Sequence, residues 1–152
     1  MKLVISPVEK ASVEIIWKNE LRQIWKWLLI YIWISKEDCL LGKNDINEKI
    51  EKIVKKILNL KLIVDKNEKI SLSVSDIKWD ILLVSNFTLY GRNKKWNKID
   101  FLESWDYEKS KIIYKDLVNK LVSKIKLKTW EFGAKMLVKS ENLWPLNYVL
   151  EF

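Results

Sequence analysis

The 152-residue sequence has no histidine, one cysteine (Cys39), two prolines and three glycines. Without histidine there is no Ser-His-Asp or Cys-His catalysis. With one cysteine there is neither an internal disulfide nor a Cys/His zinc cluster, and no metal or other cofactor is expected. The longest apolar run, Trp27 to Ile34, is far shorter than the roughly 20 residues a helix needs to cross a bilayer. The opening MKLVISPVEK lacks the apolar stretch of a secretory signal. The expectation is a soluble, cytoplasmic protein with no membrane partner. The shortage of glycine is abnormal, because glycine ordinarily makes up about 7% of a chain and turns draw on its freedom at positive φ. Tryptophan, normally among the rarest residues, occurs nine times.

What is present fits one globular domain over residues 1–152. The hydrophobic fraction is 49% and the charged fraction 32%, which excludes a disordered chain. Lysine and arginine total 28 against 20 acidic residues, a net charge of +8. Such a surplus suits a polyanionic partner, in solution usually a nucleic acid. A solvated basic surface is the alternative at this point.

Strands are expected at Lys2–Ile5, Val13–Ile16, Trp27–Ile34, Leu60–Val64, Leu72–Val74 and Asp80–Val84, each short and rich in β-branched or aromatic residues. Ile46, Ile50, Ile53, Val54, Ile57 and Leu58 fall on one face of a helix over 45–59. Asp45 and Glu48 resemble a capping box at its start. Asp65 to Glu68 reads as a turn, and 91–100 as a basic loop. A second helix is expected over 107–126, and two closing strands near 135–140 and 146–151. Runs of strands with two inserted helices give an α+β fold. Ser85-Asn86-Phe87-Thr88 follows the buried run 80–84, and polar groups at a buried strand end are candidates for a site.

Several segments in order resemble the D-aminoacyl-tRNA deacylase (D-tyrosyl-tRNA deacylase) family of bacteria and eukaryotes. They are Ala11-Ser12-Val13, Lys56 to Lys61, Leu72-Ser73-Val74, Val84 to Tyr90, Phe132-Gly133-Ala134 with Met136, and Asn142-Leu143-Trp144-Pro145. The segment Val84 to Tyr90 resembles the family's Ser-Gln-x-x-Thr motif, and 142–147 its Asn-x-Gly-Pro-x-Thr motif. The sequence departs from the pattern at Asn86 (Gln in the family), Asn147 (Thr), Ser6-Pro7 (Gln-Arg) and Trp144 (Gly).

The last departure belongs to a wider set. Trp17, Trp25, Trp27, Trp33, Trp79, Trp96, Trp130 and Trp144 all stand where the resemblance expects glycine, and Trp105 where it expects a small residue. Tryptophan is the bulkiest substitute for a residue used at positive φ and at close backbone approaches. Eight such changes are incompatible with a fold that has about 5–15 kcal/mol to spare. The pattern points to UGA codons that the cell reads as glycine and that are translated here as tryptophan. Core aromatics, or stacking platforms for single-stranded RNA, are the alternatives.

The resemblance implies mixed, partly barrel-like β-sheets with two main helices, and a homodimer with sites at the subunit interface. It implies hydrolysis of the ester joining a D-amino acid to tRNA, with mischarged glycyl-tRNA left as a candidate further target. On this reading Ser85, Asn86, Phe87 and Thr88 line the catalytic pocket. Backbone N–H groups near Phe87 and Thr88 are candidates for oxyanion stabilisation. Phe132, Gly133 and Ala134 are candidates for the terminal adenosine pocket. Asn142, Trp144 and Pro145 are substrate-binding candidates, with residues 144–145 as a cis-proline gate that enters the partner's pocket and excludes L-amino acids. Lys94, Lys95 and Lys98 are candidates for tRNA phosphates. A catalytically degenerate tRNA-binding relative is the alternative.

Overall fold

Two long strands organise the molecule. In the computed structural model, which describes residues 1–16, 18, 20–95, 97–104, 106–144 and 147–152 (the side chains at 20, 24, 27, 94 and 95 excepted), β1 (Lys2–Ile15) pairs antiparallel with β2 (Glu20–Trp33) along its whole length. The two strands expected at 2–5 and 13–16 are the ends of this one strand. Pro7 and a register shift between Val8 and Lys10 break the alternation that would have joined them in the sequence.

The remaining elements are α1 (Lys43–Asn59), β3 (Ile63–Val64), β4 (Ile70–Leu72), α2 (Val74–Ile77), β5 (Ile81–Ser85), β6 (Arg92–Lys95), β7 (Lys98–Asp100), α3 (Tyr107–Val122), β8 (Leu127–Thr129), β9 (Met136–Asn142) and β10 (Tyr148–Glu151). The main sheet runs β10-β1-β2-β5-β8, and β9 also pairs with β1. The β2–β5 and β5–β8 pairs are parallel and the rest antiparallel. The result is an α+β fold built on a nearly closed mixed barrel.

All five residues of β5 are buried, because both faces of the sheet carry a core. Ile81 and Leu83 join Leu3, Ile5, Leu28, Ile30 and the helices on one face. Leu82 and Val84 join Val8, Ala11, Val13 and Leu29 on the other. A strand buried on both sides reads as a continuous apolar run, as Ile81–Val84 does. Helix α1 contributes Ile50, Ile53, Val54, Ile57 and Leu58 to the first core. At about 1.5–3 kcal/mol for each buried side chain, this stripe alone holds the helix down.

Some local expectations are corrected. The N-cap of α1 is Gly42 with no side-chain cap bond, so Asp45 lies in the first turn and forms no capping box with Glu48. The true capping box is Ser73 with Asp76, which turns Val74 into the start of α2 instead of a strand residue. Of 60–64 only Ile63–Val64 is strand, and α3 ends at Val122. The expected basic loop 91–100 contains the paired strands β6 and β7.

Asp38, 1% exposed, accepts hydrogen bonds from the backbone N–H and hydroxyl of Ser35 and from Lys49 Nζ, and pairs with the Met1 amino group at 2.7 Å. Burial on its own would raise the carboxyl's pKa, but Lys49, the amino group and Ser35 together hold it below the usual range.

Candidate active site

The end of β5 makes the centre of the site. Ser85 is buried, and its Oγ accepts the Gly133 N–H at 3.2 Å. Asn86 has extended backbone (φ −146°) and donates its N–H to Ile32 O at 2.9 Å. It then caps the 3₁₀ turn Phe87–Tyr90: its Oδ1 accepts both the Thr88 N–H (3.1 Å) and the Thr88 hydroxyl (2.6 Å). Thr88 Oγ1 is therefore committed to Asn86. Of the two backbone donors expected here, Thr88 N–H is taken, while Phe87 N–H has no partner among the described residues. The first N–H groups of such a turn lack partners within it.

Gly133 sits in the turn between β8 and β9 with φ +71°, and a Cβ there would lie 2.6 Å from the Tyr107 ring. Tyr107 in turn donates its hydroxyl to Phe132 O at 3.1 Å. Phe132 stacks on Trp33 with centroids 4.9 Å apart, and Phe87 meets the edges of Trp33 and Phe101. Helix α3 thus fixes the glycine turn, and the glycine turn fixes Ser85.

Two adjoining cavities result. One, of about 270 Å³, is lined by Tyr31, Ser85, Asn86, Ala134 and Met136 together with Trp33, Phe87 and Gly133. The other, of about 470 Å³, shares Trp33, Phe87 and Gly133 and adds Asp100, Phe101, Leu102, Ser104, Asp106 and Tyr107. Trp33, held by its indole N–H on Ser104 O at 3.2 Å, forms the wall between them. Burial raises the pKa of Tyr31, so at neutral pH it is a phenol and no base. The site has serine, asparagine and threonine groups but no histidine to act as a base. Among the described residues no cluster of three or more His, Cys, Asp or Glu is placed to hold a metal.

The structure brings Ser85, Asn86, Phe87, Gly133 and Ala134 to one cavity, with Thr88 held by Asn86 and Phe132 behind the wall. It does not bring Asn142 or Trp144 there. Val138 is the last β9 residue at the cavity, and Asn142 lies four residues further on, about 13 Å along the strand. Trp144 is 70% exposed. Lys98 is exposed on β7. Pro145 and the side chains of Lys94 and Lys95 lie outside the described residues. The sequence reading missed Tyr31, Trp33 and the far wall from Asp100 to Tyr107. The one local signal in that wall is Asp106, the N-cap of α3, whose side chain accepts Lys109 N–H at 3.1 Å.

The model of the D-Tyr-tRNA(Tyr) deacylase family matches residues 4–151. The chain belongs to that family. It is 38% identical over 153 residues to a D-aminoacyl-tRNA deacylase of Thermosipho melanesiensis, covering 99% of this chain and 97% of that one. It is 35% identical to the Clostridium botulinum enzyme over 152 residues, with the same coverage. The solved structure titled "c-Myc DNA Unwinding Element Binding Protein" superposes with a TM-score of 0.84 at 32% identity, over 100% of this chain and 99% of that one. A probable eukaryotic D-amino acid tRNA deacylase shares the fold (TM-score 0.84) at 11% identity, over 98% and 97% of the two chains. D-aminoacyl-tRNA deacylases are hydrolases of the ester bond between a D-amino acid and tRNA, and the strand-end site of this family member is built without an acid–base pair.

Proposed function

We propose that this chain hydrolyses D-aminoacyl-tRNA in the cytoplasm, releasing the free D-amino acid, and that it acts as a homodimer. The observation that carries the reading is the meeting of the Ser85–Thr88 strand end with Gly133 at the shared rim of the two cavities. The smaller cavity takes the aminoacyl ester. Phe87 N–H, left without a partner among the described residues, is the donor for the oxyanion that forms when water adds to the ester carbonyl. The C–O bond to the ribose then breaks, and the departing 3′-oxygen takes the proton that the water gives up. With no histidine to relay it, the substrate's own 2′-OH is the group best placed to carry that proton.

The larger, aromatic cavity suits the terminal adenosine. Phe87, Phe101 and Tyr107 offer stacking surfaces, and Asp100 and Asp106 offer acceptors for the exocyclic amine. The net charge of +8 suits tRNA, with Lys94, Lys95 and Lys98 as phosphate contacts, and binding should weaken steeply with salt. The 13 Å that separate Asn142 from its own cavity support a role for residues 142–145 in a partner's cavity, where residues 144–145 exclude the L-configuration sterically. Glycyl-tRNA, with no side chain to exclude, would pass such a gate.

The test is release of D-tyrosine from D-Tyr-tRNA beside L-Tyr-tRNA as control. Release of the D-amino acid alone is expected. Salt-dependent tRNA binding without turnover would reject the enzyme reading and leave a degenerate tRNA-binding relative, as Asn86 and Trp144 would then explain.

A further inference from the structure

The two cavities of the site differ in charge. Among the described residues, the larger is lined by the carboxylates Asp100 and Asp106, and the smaller by one lysine, Lys135, and no carboxylate. The place of Lys135 follows from the chain on either side. The left-handed turn at Gly133 is closed by Ala134 N–H on Glu131 O at 3.3 Å, and β9 starts at Met136, which pairs with Ile15. Ala134, Met136 and Val138 pack against the second core, so the alternation of the strand leaves Lys135 on the open side, where it is exposed. A residue that lines a cavity and is also exposed stands at its mouth. Lysine suits such a place, because its stem covers apolar wall while its ammonium stays in water.

We propose that Lys135 is a specificity-determining residue that favours D-aminoacyl esters with an anionic side chain over neutral and cationic ones. This rests on the reading of the smaller cavity as the place of the aminoacyl group. The α-amino group, the ester and the nucleotide are common to all aminoacyl-tRNAs, so their interactions with Lys135 cancel between substrates, and only the side chain distinguishes them. A round cavity of about 270 Å³ is about 8 Å across, one Debye length at physiological salt, so a side-chain carboxylate inside it feels the ammonium at the mouth. The neighbouring carboxylates are engaged elsewhere. Glu131 pairs with Lys18 at 2.6 Å, and Asp100 and Asp106 line the larger cavity on the far side of Trp33. Exposure limits the effect, because an ion pair in water is worth little. Lys135 therefore tilts the choice of substrate and does not filter it.

The experiment uses one tRNA acylated with D-aspartate or with D-asparagine, which have nearly the same shape and differ by one charge at neutral pH. The full-length parent, Lys135→Met and Lys135→Glu are assayed for kcat/KM on both esters, with melting temperatures measured in parallel. Lys135 is exposed and precedes β9, so both variants should fold. The D-aspartyl to D-asparaginyl ratio of the parent should exceed that of Lys135→Met about two- to fivefold, the size of one exposed ion pair. The ratio of Lys135→Glu should lie lower again, and the spread among the three should shrink at high salt. A ratio that is the same in all three proteins overturns the proposal. So does an equal loss on both esters in Lys135→Met, which would place the lysine on a group common to all substrates, such as a tRNA phosphate. If the parent hydrolyses neither ester, the reading of the cavity itself fails, and the preference with it.

Discussion

Substituting alanine for Gly133 separates the backbone requirement of the site from its chemistry. Gly133 has φ +71°, and a Cβ would come within 2.6 Å of Tyr107 Cε2 and 3.2 Å of its hydroxyl oxygen. The left-handed backbone costs an L-residue about 1–2 kcal/mol. Moving a packed ring aside adds about 1–3 kcal/mol. Tyr107 is not free to swing, because its hydroxyl is bonded to Phe132 O and its ring contacts that of Phe132. The two terms give a loss of about 2–5 kcal/mol, and a chain of this size melts about 2–4 °C lower per kcal/mol. Thermal and urea unfolding of Gly133→Ala beside the parent should therefore show a drop in Tm of about 4–20 °C. Gly42→Ser is the control: Gly42 has ordinary extended backbone at the N-cap of α1, and a serine there should gain a few tenths of a kcal/mol. If Gly133→Ala melts within a degree of the parent, the turn does not need glycine and the link from α3 through Gly133 to Ser85 is wrong.

Three further outcomes are expected. Asp38 has its folded pKa depressed, so its contribution is complete above the unfolded value near 3.9 and is lost as pH falls through the folded value. Lys49→Met, which removes one of its partners, should cost about 1.5–3 kcal/mol near neutral pH and move acid unfolding, followed by circular dichroism, to higher pH. Asn86→Ala frees the Thr88 hydroxyl and uncaps the 3₁₀ turn; it should cost about 1 kcal/mol of stability and lower kcat more than it changes KM in steady-state assays. A chain with glycine at the eight tryptophan positions named above should melt higher than the tryptophan chain, and peptide masses of the natively expressed protein should show glycine there.

The elements that were legible in the sequence are those with one dominant signal. The stripe in α1 and the doubly buried β5 depend on local periodicity alone. β6 and β7 were hidden because Arg92-Asn93-Lys94-Lys95 and Lys98-Ile99-Asp100 have little apolar content and, among the described residues, pair only with each other. The continuity of β1 was hidden by Pro7, which a strand tolerates where its missing N–H is not required. Ser73 and Asp76 have the spacing of a capping box, a pattern that the strand reading of Leu72–Val74 does not use.

The site was legible at its strand end and illegible in its walls. Ser85 to Thr88 announce themselves by following a buried run, whereas Trp33, Asp100 and Tyr107 reach the cavities from three separate stretches of chain. Long-range closure of this kind leaves no local pattern. Nor does a single sequence reveal that two departures from the family pattern, Ser6 and Asn147, are hydrogen-bonded to each other.

The tryptophans show the same limit from the other side. Their number is plain in the sequence, but their consequence depends on where they stand. The Trp130 indole nitrogen is buried with no partner among the described residues, at a cost of about 1–3 kcal/mol for an unpaired donor. Trp25 and Trp144 expose most of their rings to water, at 56% and 70%. Among the described tryptophans Trp33 alone has both a satisfied N–H and a full aromatic environment, and it is the one that divides the site. Glycine at 33 would remove the wall between the two cavities and leave Phe87 and Gly133 as their shared lining among the described residues. An ester whose nucleoside lies in one cavity and whose aminoacyl group lies in the other must pass through that wall. On the proposed placement of ester and nucleoside, the residue at 33 therefore bears directly on catalysis.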